Sequence, residues 1–206
     1  MTRAPETRFA TFDCYGTLID WNAGLRAALG SDALLERYHE VEPEVERESP
    51  SLSYRAVMTE VARRIGAADP GALPRSLPSW KPFPEVRAAL EEARSRGWQL
   101  GILSNTDRDF IEASIDAIGV PFELVIVASE IDSYKPAHGH WSAFARATRR
   151  LPDVHVAASL FHDIAPATEL GLRTVWVNRL GEEARPRPTR EIADLGALPE
   201  VLDELA

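Results

Sequence analysis

Four short clusters of polar residues, each following an apolar run, carry the side chains able to do chemistry in this chain of 206 residues. The first is Asp13 with Thr17, inside the stretch Phe9–Asp20, FATFDCYGTLID; the others are Ser104 with Asn105, Lys135, and Asp163. A carboxylate at the C-terminal end of a buried strand is a candidate nucleophile, because loops leaving parallel strands open a crevice there. The competing reading is that Asp13 caps a turn or helix. A lysine beside such a carboxylate would hold it ionised and offset charge developing in a transition state. Thr17 and Ser104 can donate hydrogen bonds to the carboxylate or to the group it attacks. Asp163 can orient Lys135, orient a water or bind a metal. Taken singly, Lys135 reads as a solvated lysine before a proline and Ser104 as an ordinary strand-end turn.

The elements that must position these residues follow from periodicity. Phe9–Phe12 reads as a buried strand broken at Gly16. The spacing then becomes helical over Asn22–Gly30, Asp32–Val45 and Tyr54–Ile65. Gly66–Pro84, dense in Pro and Gly, reads as a return linker closing a helical insertion. From Pro84 onward helix and strand alternate, which implies parallel βαβ units. Helices are expected at Val86–Arg96, Asp109–Ile118, His140–Arg150 and Ala165–Leu170, and from about Leu198. Strands are expected at Trp98–Leu103, Phe122–Ala128, Val154–Phe161 and Thr174–Asn178, with Arg185–Thr189 as loop. The fold class is therefore α/β, a doubly wound, Rossmann-like parallel sheet with an inserted small helical cap. Residues 1–19 and 83–206 form the core and residues 20–82 the cap.

Composition narrows the class further. A net charge of −9 and a pI near 5.1 argue against a phosphate-backbone binder, which needs Lys and Arg to neutralise phosphates. One cysteine excludes an internal disulfide and any Cys-rich zinc site. No apolar run is long enough to span a bilayer, and MTRAPETR lacks the apolar segment of a secretion signal. These features point to a cytoplasmic protein with a small-molecule substrate, no nucleic-acid or membrane partner, and a homodimer as one possible assembly.

Together, DCYGT (Asp13–Thr17), LSNT with Ser104, YKP with Lys135, and HDIAPATELGL with Asp163 resemble the four motifs of the haloacid dehalogenase superfamily of hydrolases, in order and at suitable spacing. The resemblance runs from the start of the chain to about Asn178, with the insertion where that superfamily carries its cap. It implies that Asp13 forms an ester intermediate which water then hydrolyses, with Thr17, Ser104, Lys135 and Asp163 as the remaining catalytic residues. The superfamily's phosphatases carry a general-acid Asp two residues after the nucleophile, where this chain has Tyr15. They also hold Mg²⁺ with several acids of the fourth motif, where this chain has Asp163 alone and Ser159 four residues earlier.

Both differences resemble the type II 2-haloacid dehalogenases, in which the aspartate attacks the halogen-bearing carbon. Asn105 then resembles the halide-side asparagine, and Trp141 stands where that group has a tyrosine. Tyr15, Asn105, Trp141, Ser159 and His162 are the expected substrate-binding residues, with His162 either a water-activating base or a neighbour of a helix cap. The dehalogenases bind the halide and substrate carboxylate with a cap arginine; the corresponding stretch here, Tyr38–Val45, contains His39, Glu40, Glu42 and Glu44 and no arginine. The implied activity is carbon–halide hydrolysis of a small carboxylic acid, with no metal and no cofactor. The alternatives are a phosphatase of a small phosphate ester, which would need Mg²⁺, and hydrolysis of another carbon bond such as that of a strained-ring amino acid.

Overall fold

The computed structural model describes residues 7–206; residues 1–6, which include most of the stretch read above for a secretion signal, lie outside the described part. Six parallel strands form one sheet in the order β3-β2-β1-β4-β5-β6: β1 Arg8–Phe12, β2 Trp98–Ser104, β3 Leu124–Val127, β4 Val154–Ala157, β5 Arg173–Val177 and β6 Arg190–Ile192. The apolar opening run becomes the central strand, with Ala10 and Phe12 fully buried, and pairs with β2 on one side and β4 on the other. Strand order reverses between β1 and β4, so the crevice beyond their C-terminal ends is the switch point at which open α/β sheets bind ligands. Asp13 leaves β1 at that point, its N–H donating to the Val156 carbonyl of β4 at 3.1 Å.

After β1 the chain inserts four helices, α1 Trp21–Leu29, α2 Asp32–Glu48, α3 Tyr54–Arg64 and α4 Ala72–Ser76, before a fifth helix leads into β2. Each of the first three starts at a residue whose side chain accepts a backbone N–H of the first turn: Asp20, Ser31 and Ser53, the standard remedy for orphan donors at helix starts. The two ends of this insertion run side by side, Asp20 N–H donating to Lys81 C=O at 2.9 Å and Phe83 N–H to Leu18 C=O at 3.0 Å. The insertion is tied to the sheet body by Asp107, whose carboxylate accepts the N–H groups of Tyr54 (2.8 Å) and Arg55 (2.9 Å) at the start of α3. The remaining helices are α5 Val86–Ser95, α6 Arg108–Ile118, α7 Ala128–Ile131, α8 Gly139–Thr148, α9 Ala165–Glu169 and α10 Leu198–Glu204.

Several expected boundaries shift. The stretch read as a plain return linker contains α4 and a 3₁₀ turn, Leu77–Ser79, and α2 runs past Pro43 to Glu48. The third strand starts at Leu124 rather than Phe122 and gives way at Ala128 to α7. The fourth strand ends at Ala157, not Phe161. The next amide, Ala158 N–H, donates to the Thr17 hydroxyl at 2.9 Å, which takes it out of the ladder, and Ser159 then opens a wide turn of π type over Leu160–Ile164, its Oγ accepting the His162 N–H. The sixth strand went unforeseen because only three residues follow the proline-rich loop; reciprocal bonds between Thr174 and Thr189 (3.0 and 3.1 Å) anchor that loop to β5.

Candidate active site

The turn after β1 brings Thr17 back over Asp13, and Gly16, at φ +89°, supplies the left-handed residue the turn requires. The Thr17 hydroxyl donates to Asp13 Oδ2 at 2.8 Å. Lys135 reaches the other oxygen, its Nζ donating to Asp13 Oδ1 at 2.9 Å, to Asp163 Oδ1 at 2.5 Å and to the Leu103 carbonyl at 2.8 Å. All three donors of this ammonium are used, and the side chain is 1% exposed. Lys135 therefore lies beside Asp13 as a buried cation at the sheet edge, not as the solvated lysine it resembles when taken singly.

Asn105 holds the segment that delivers Lys135: its Oδ1 accepts Lys135 N–H at 2.7 Å and its Nδ2 donates to Lys135 C=O at 3.0 Å. Ser104, at the end of β2, is 1% exposed, and its Oγ has no hydrogen-bond partner.

Electrostatics separate the two carboxylates that share Lys135. Burial pushes the Asp13 carboxyl up, opposed by Lys135 and the Thr17 hydroxyl. Burial acts on Asp163 in the same sense, but Lys135 and His155 outweigh it and hold that carboxyl well below the usual range. Burial lowers Lys135, yet the two aspartates overcome this and keep its pKa above the ordinary lysine value. The cluster thus contains an ammonium, a firmly ionised orienting carboxylate and a nucleophile candidate 8% exposed.

Sequence reading missed His155. It lies fully buried in β4, its Nε2 3.0 Å from Asp163 Oδ1 and its Nδ1 2.9 Å from the Thr11 hydroxyl. An ionised carboxylate only accepts, so in the neutral ring Nε2 carries the proton and Thr11 donates to Nδ1. A histidine inside an apolar strand offers no motif; only its place one strand away from the β1 partner Thr11 could have flagged it.

Asp13, Ser104, Asn105, Lys135 and Asp163 line one end of a cavity of about 500 Å³, within the range of small-molecule sites. The insertion supplies the opposite wall: Trp21, His39, Glu42, Pro43, Glu46 and Tyr54. Of the expected substrate-binding residues, Tyr15, Asn105, Ser159 and His162 line it. Trp141 does not: it is fully buried beneath the sheet edge, packed with Leu103, Ile126 and Phe144 and edge-on to His155 at 5.3 Å. Its place on the inner face of α8 makes it core. Burial lowers His162 to about 4, so at neutral pH it is an uncharged lining group that can accept a proton but is a weak base; its Nδ1 lies 3.2 Å from Ser159 Oγ.

A metal of the phosphatase kind does not fit this donor set. Asp163 is committed to Lys135 and His155, the positions of the further acids hold Tyr15 and Ser159, and among the described residues no three His, Cys, Asp or Glu side chains converge as metal ligands.

A family model for haloacid dehalogenase-like hydrolases matches residues 7–161. The chain belongs to that family. Within the haloacid dehalogenase-like hydrolases, it is 33% identical over 132 residues to an (S)-2-haloacid dehalogenase of Pseudomonas sp. (strain CBS-3), covering 60% of this chain and 56% of that one. It is 35% identical over 108 residues to a haloacetate dehalogenase of Moraxella sp. (strain B), covering 49% and 46%. These alignments span about half the length of the curated relatives. A crystal structure of an L-2-haloacid dehalogenase superposes with a TM-score of 0.83 at 25% identity, covering 95% of this chain and 98% of that one. Among the described residues, no helix is long and apolar enough to cross a membrane.

Proposed function

We propose that the protein is a metal-independent hydrolase of the 2-haloacid dehalogenase kind, acting on a small carboxylic acid through Asp13. The observation that carries the reading is the Asp13–Lys135–Asp163 cluster opening on a cavity of about 500 Å³, with Tyr15 where a phosphatase would need an acid. An Asp13 oxygen attacks the carbon bearing the halogen; the new C–O bond forms as the carbon–halogen bond breaks, and the halide leaves with the bonding pair. A halide needs no proton, so the missing general acid is no handicap. Water then attacks the ester carbonyl, releasing the hydroxy acid and restoring Asp13. Lys135 stabilises negative charge on the Asp13 carboxyl as it is regenerated, and Thr17 fixes its second oxygen.

The four helices of residues 20–82 act in this reading as a cap that closes over the substrate, hinged where the strands of chain at Leu18–Asp20 and Lys81–Phe83 run together. Cytoplasmic residence and a homodimer belong to the same proposal, checked by cell fractionation and by light scattering.

The test is single-turnover hydrolysis of 2-chloropropionate in heavy-oxygen water with enzyme in excess. Label is expected in the Asp13 peptide and not in the first product, and Asp13→Asn is expected to abolish chloride release while leaving the unfolding midpoint nearly unchanged. Label in the first product would mean direct attack by water.

A further inference from the structure

The cap wall of the cavity has a charge that a simple haloacid does not answer. Glu42 and Glu46 lie one helical turn apart on α2 and are 6% and 5% exposed. Glu42 accepts the hydroxyls of Tyr54 (2.7 Å) and Tyr38 (3.1 Å), which fixes its position. Glu46 receives only a long contact from Asn105 Nδ2 at 3.4 Å and faces His162 Nε2 at 3.6 Å. Among the described residues neither meets a cation: the one ammonium lining the cavity there, Lys135, has all its donors taken by Asp13, Asp163 and Leu103. Burial accordingly pushes Glu42 up to about 7 and Glu46 well above the usual carboxylate range. Buried carboxylates held in place without a cation are costly to ionise unless something positive joins them. In the same cavity, the buried Ser104 Oγ has no partner among the described residues and is free to donate to a substrate carboxylate, and the aromatic rings of Trp21, Tyr15 and Tyr54 also line it.

Resting on the dehalogenase reading, we infer that the substrate is a small acid that also carries a protonated amine, seated at Glu42 and Glu46 while its electrophilic carbon meets Asp13. The two glutamates are then specificity residues: an ammonium seated against them draws them into the ionised form, and an acid with no amine leaves them without a cation.

A matched pair of probes tests this: 2-chloropropionate and 3-amino-2-chloropropionate, which differ by one ammonium group. Attack of Asp13 on C2 of the latter expels chloride, and hydrolysis of the ester yields 3-amino-2-hydroxypropionate. Chloride release is expected to favour the amino compound by tenfold or more in kcat/KM, and Glu42→Gln with Glu46→Gln is expected to remove that preference. Equal or better turnover of 2-chloropropionate by the unaltered protein, or a ratio indifferent to the glutamines, overturns the inference. Should neither compound release chloride, the dehalogenase reading fails by itself, and binding decides this one. Titration of tryptophan fluorescence with 3-aminopropionate against propionate is expected to show tighter binding of the amine, lost in the glutamine variants; absence of any preference, including no binding of either, overturns it.

Discussion

Two pairs of buried carboxylates face the same cavity from opposite sides, and the protein treats them differently. Asp13 and Asp163, on the sheet edge, share the Lys135 ammonium at 2.9 and 2.5 Å. Glu42 and Glu46, on α2, share hydroxyls and an amide but no cation. On the sheet side the compensating charge is built in, so Asp163 stays ionised and Asp13 is held in geometry for attack. On the helical side the charge is left open, and the carboxyls hold protons more tightly instead. A compensated pair sustains chemistry on every turnover, whereas an uncompensated pair is a receptor for charge.

Breaking the compensated side should have the largest effect. Lys135→Ala leaves two carboxylates beside each other with their cation gone, in a site where Asp163 is 1% exposed. Removing one partner of a buried ion pair typically costs about 3–5 kcal/mol, and loss of a preorganised electrostatic partner lowers rates by on the order of 10² or more. Urea unfolding and turnover should both report the change, and adding Asp163→Asn should return part of the stability, because one unpaired charge disappears. A double variant less stable than Lys135→Ala alone would contradict the shared-cation account.

The uncompensated side should respond to pH with the opposite sense. Glu42 stands at about 7 in the folded protein against an ordinary 4.5, so between those values the folded state binds more protons than the unfolded one. Stability from this group is complete below about 4.5, falls as pH rises through 7, and is flat above. Glu42→Gln removes the titration while keeping an oxygen for Tyr54. It should therefore stabilise the protein by roughly 3–4 kcal/mol at pH 8 and by little at pH 4, as two to three pKa steps at about 1.4 kcal/mol each imply. Superimposable pH–stability curves for the two proteins would remove Glu42 as the uncompensated acid.

The contrast also marks what could be read from residues alone. The strand ending in Asp13, the alternating helices and strands, and the convergence of Thr17, Lys135 and Asp163 on Asp13 follow from apolar periodicity and from motifs that sit at strand ends, where spacing and geometry coincide. The helical wall does not have that property. Tyr38 and Tyr54 are buried in the core and both hydroxyls meet Glu42; Tyr38 reaches it one turn away within α2, whereas the Tyr54 bond crosses from α3, a contact that no local spacing encodes. Trp141 was misplaced for a related reason: six residues after Lys135 lies α8, whose inner face turns the indole under the sheet edge. The early end of β4 depended on a bond from Thr17, 141 residues away.

The smallest expected effect sharpens the comparison within the compensated pair itself. Asp163 differs from Asp13 in having a second donor, His155, which is fully buried and hydrogen-bonded to Thr11 on its other side. If that donor helps keep Asp163 aimed at Lys135, His155→Phe removes that bond and the one from Thr11 while keeping an aromatic ring against Trp141. The expected loss is roughly 1.5–3 kcal/mol of stability, the scale of a buried hydrogen bond to a charged group. A few-fold decrease in kcat with KM nearly unchanged should accompany it, since His155 lies outside the cavity wall and acts through Asp163. His155→Gln, which retains a donor, should recover most of the kcat. Equal kcat for the phenylalanine and glutamine variants would leave His155 a packing residue and Lys135 the sole agent holding the pair.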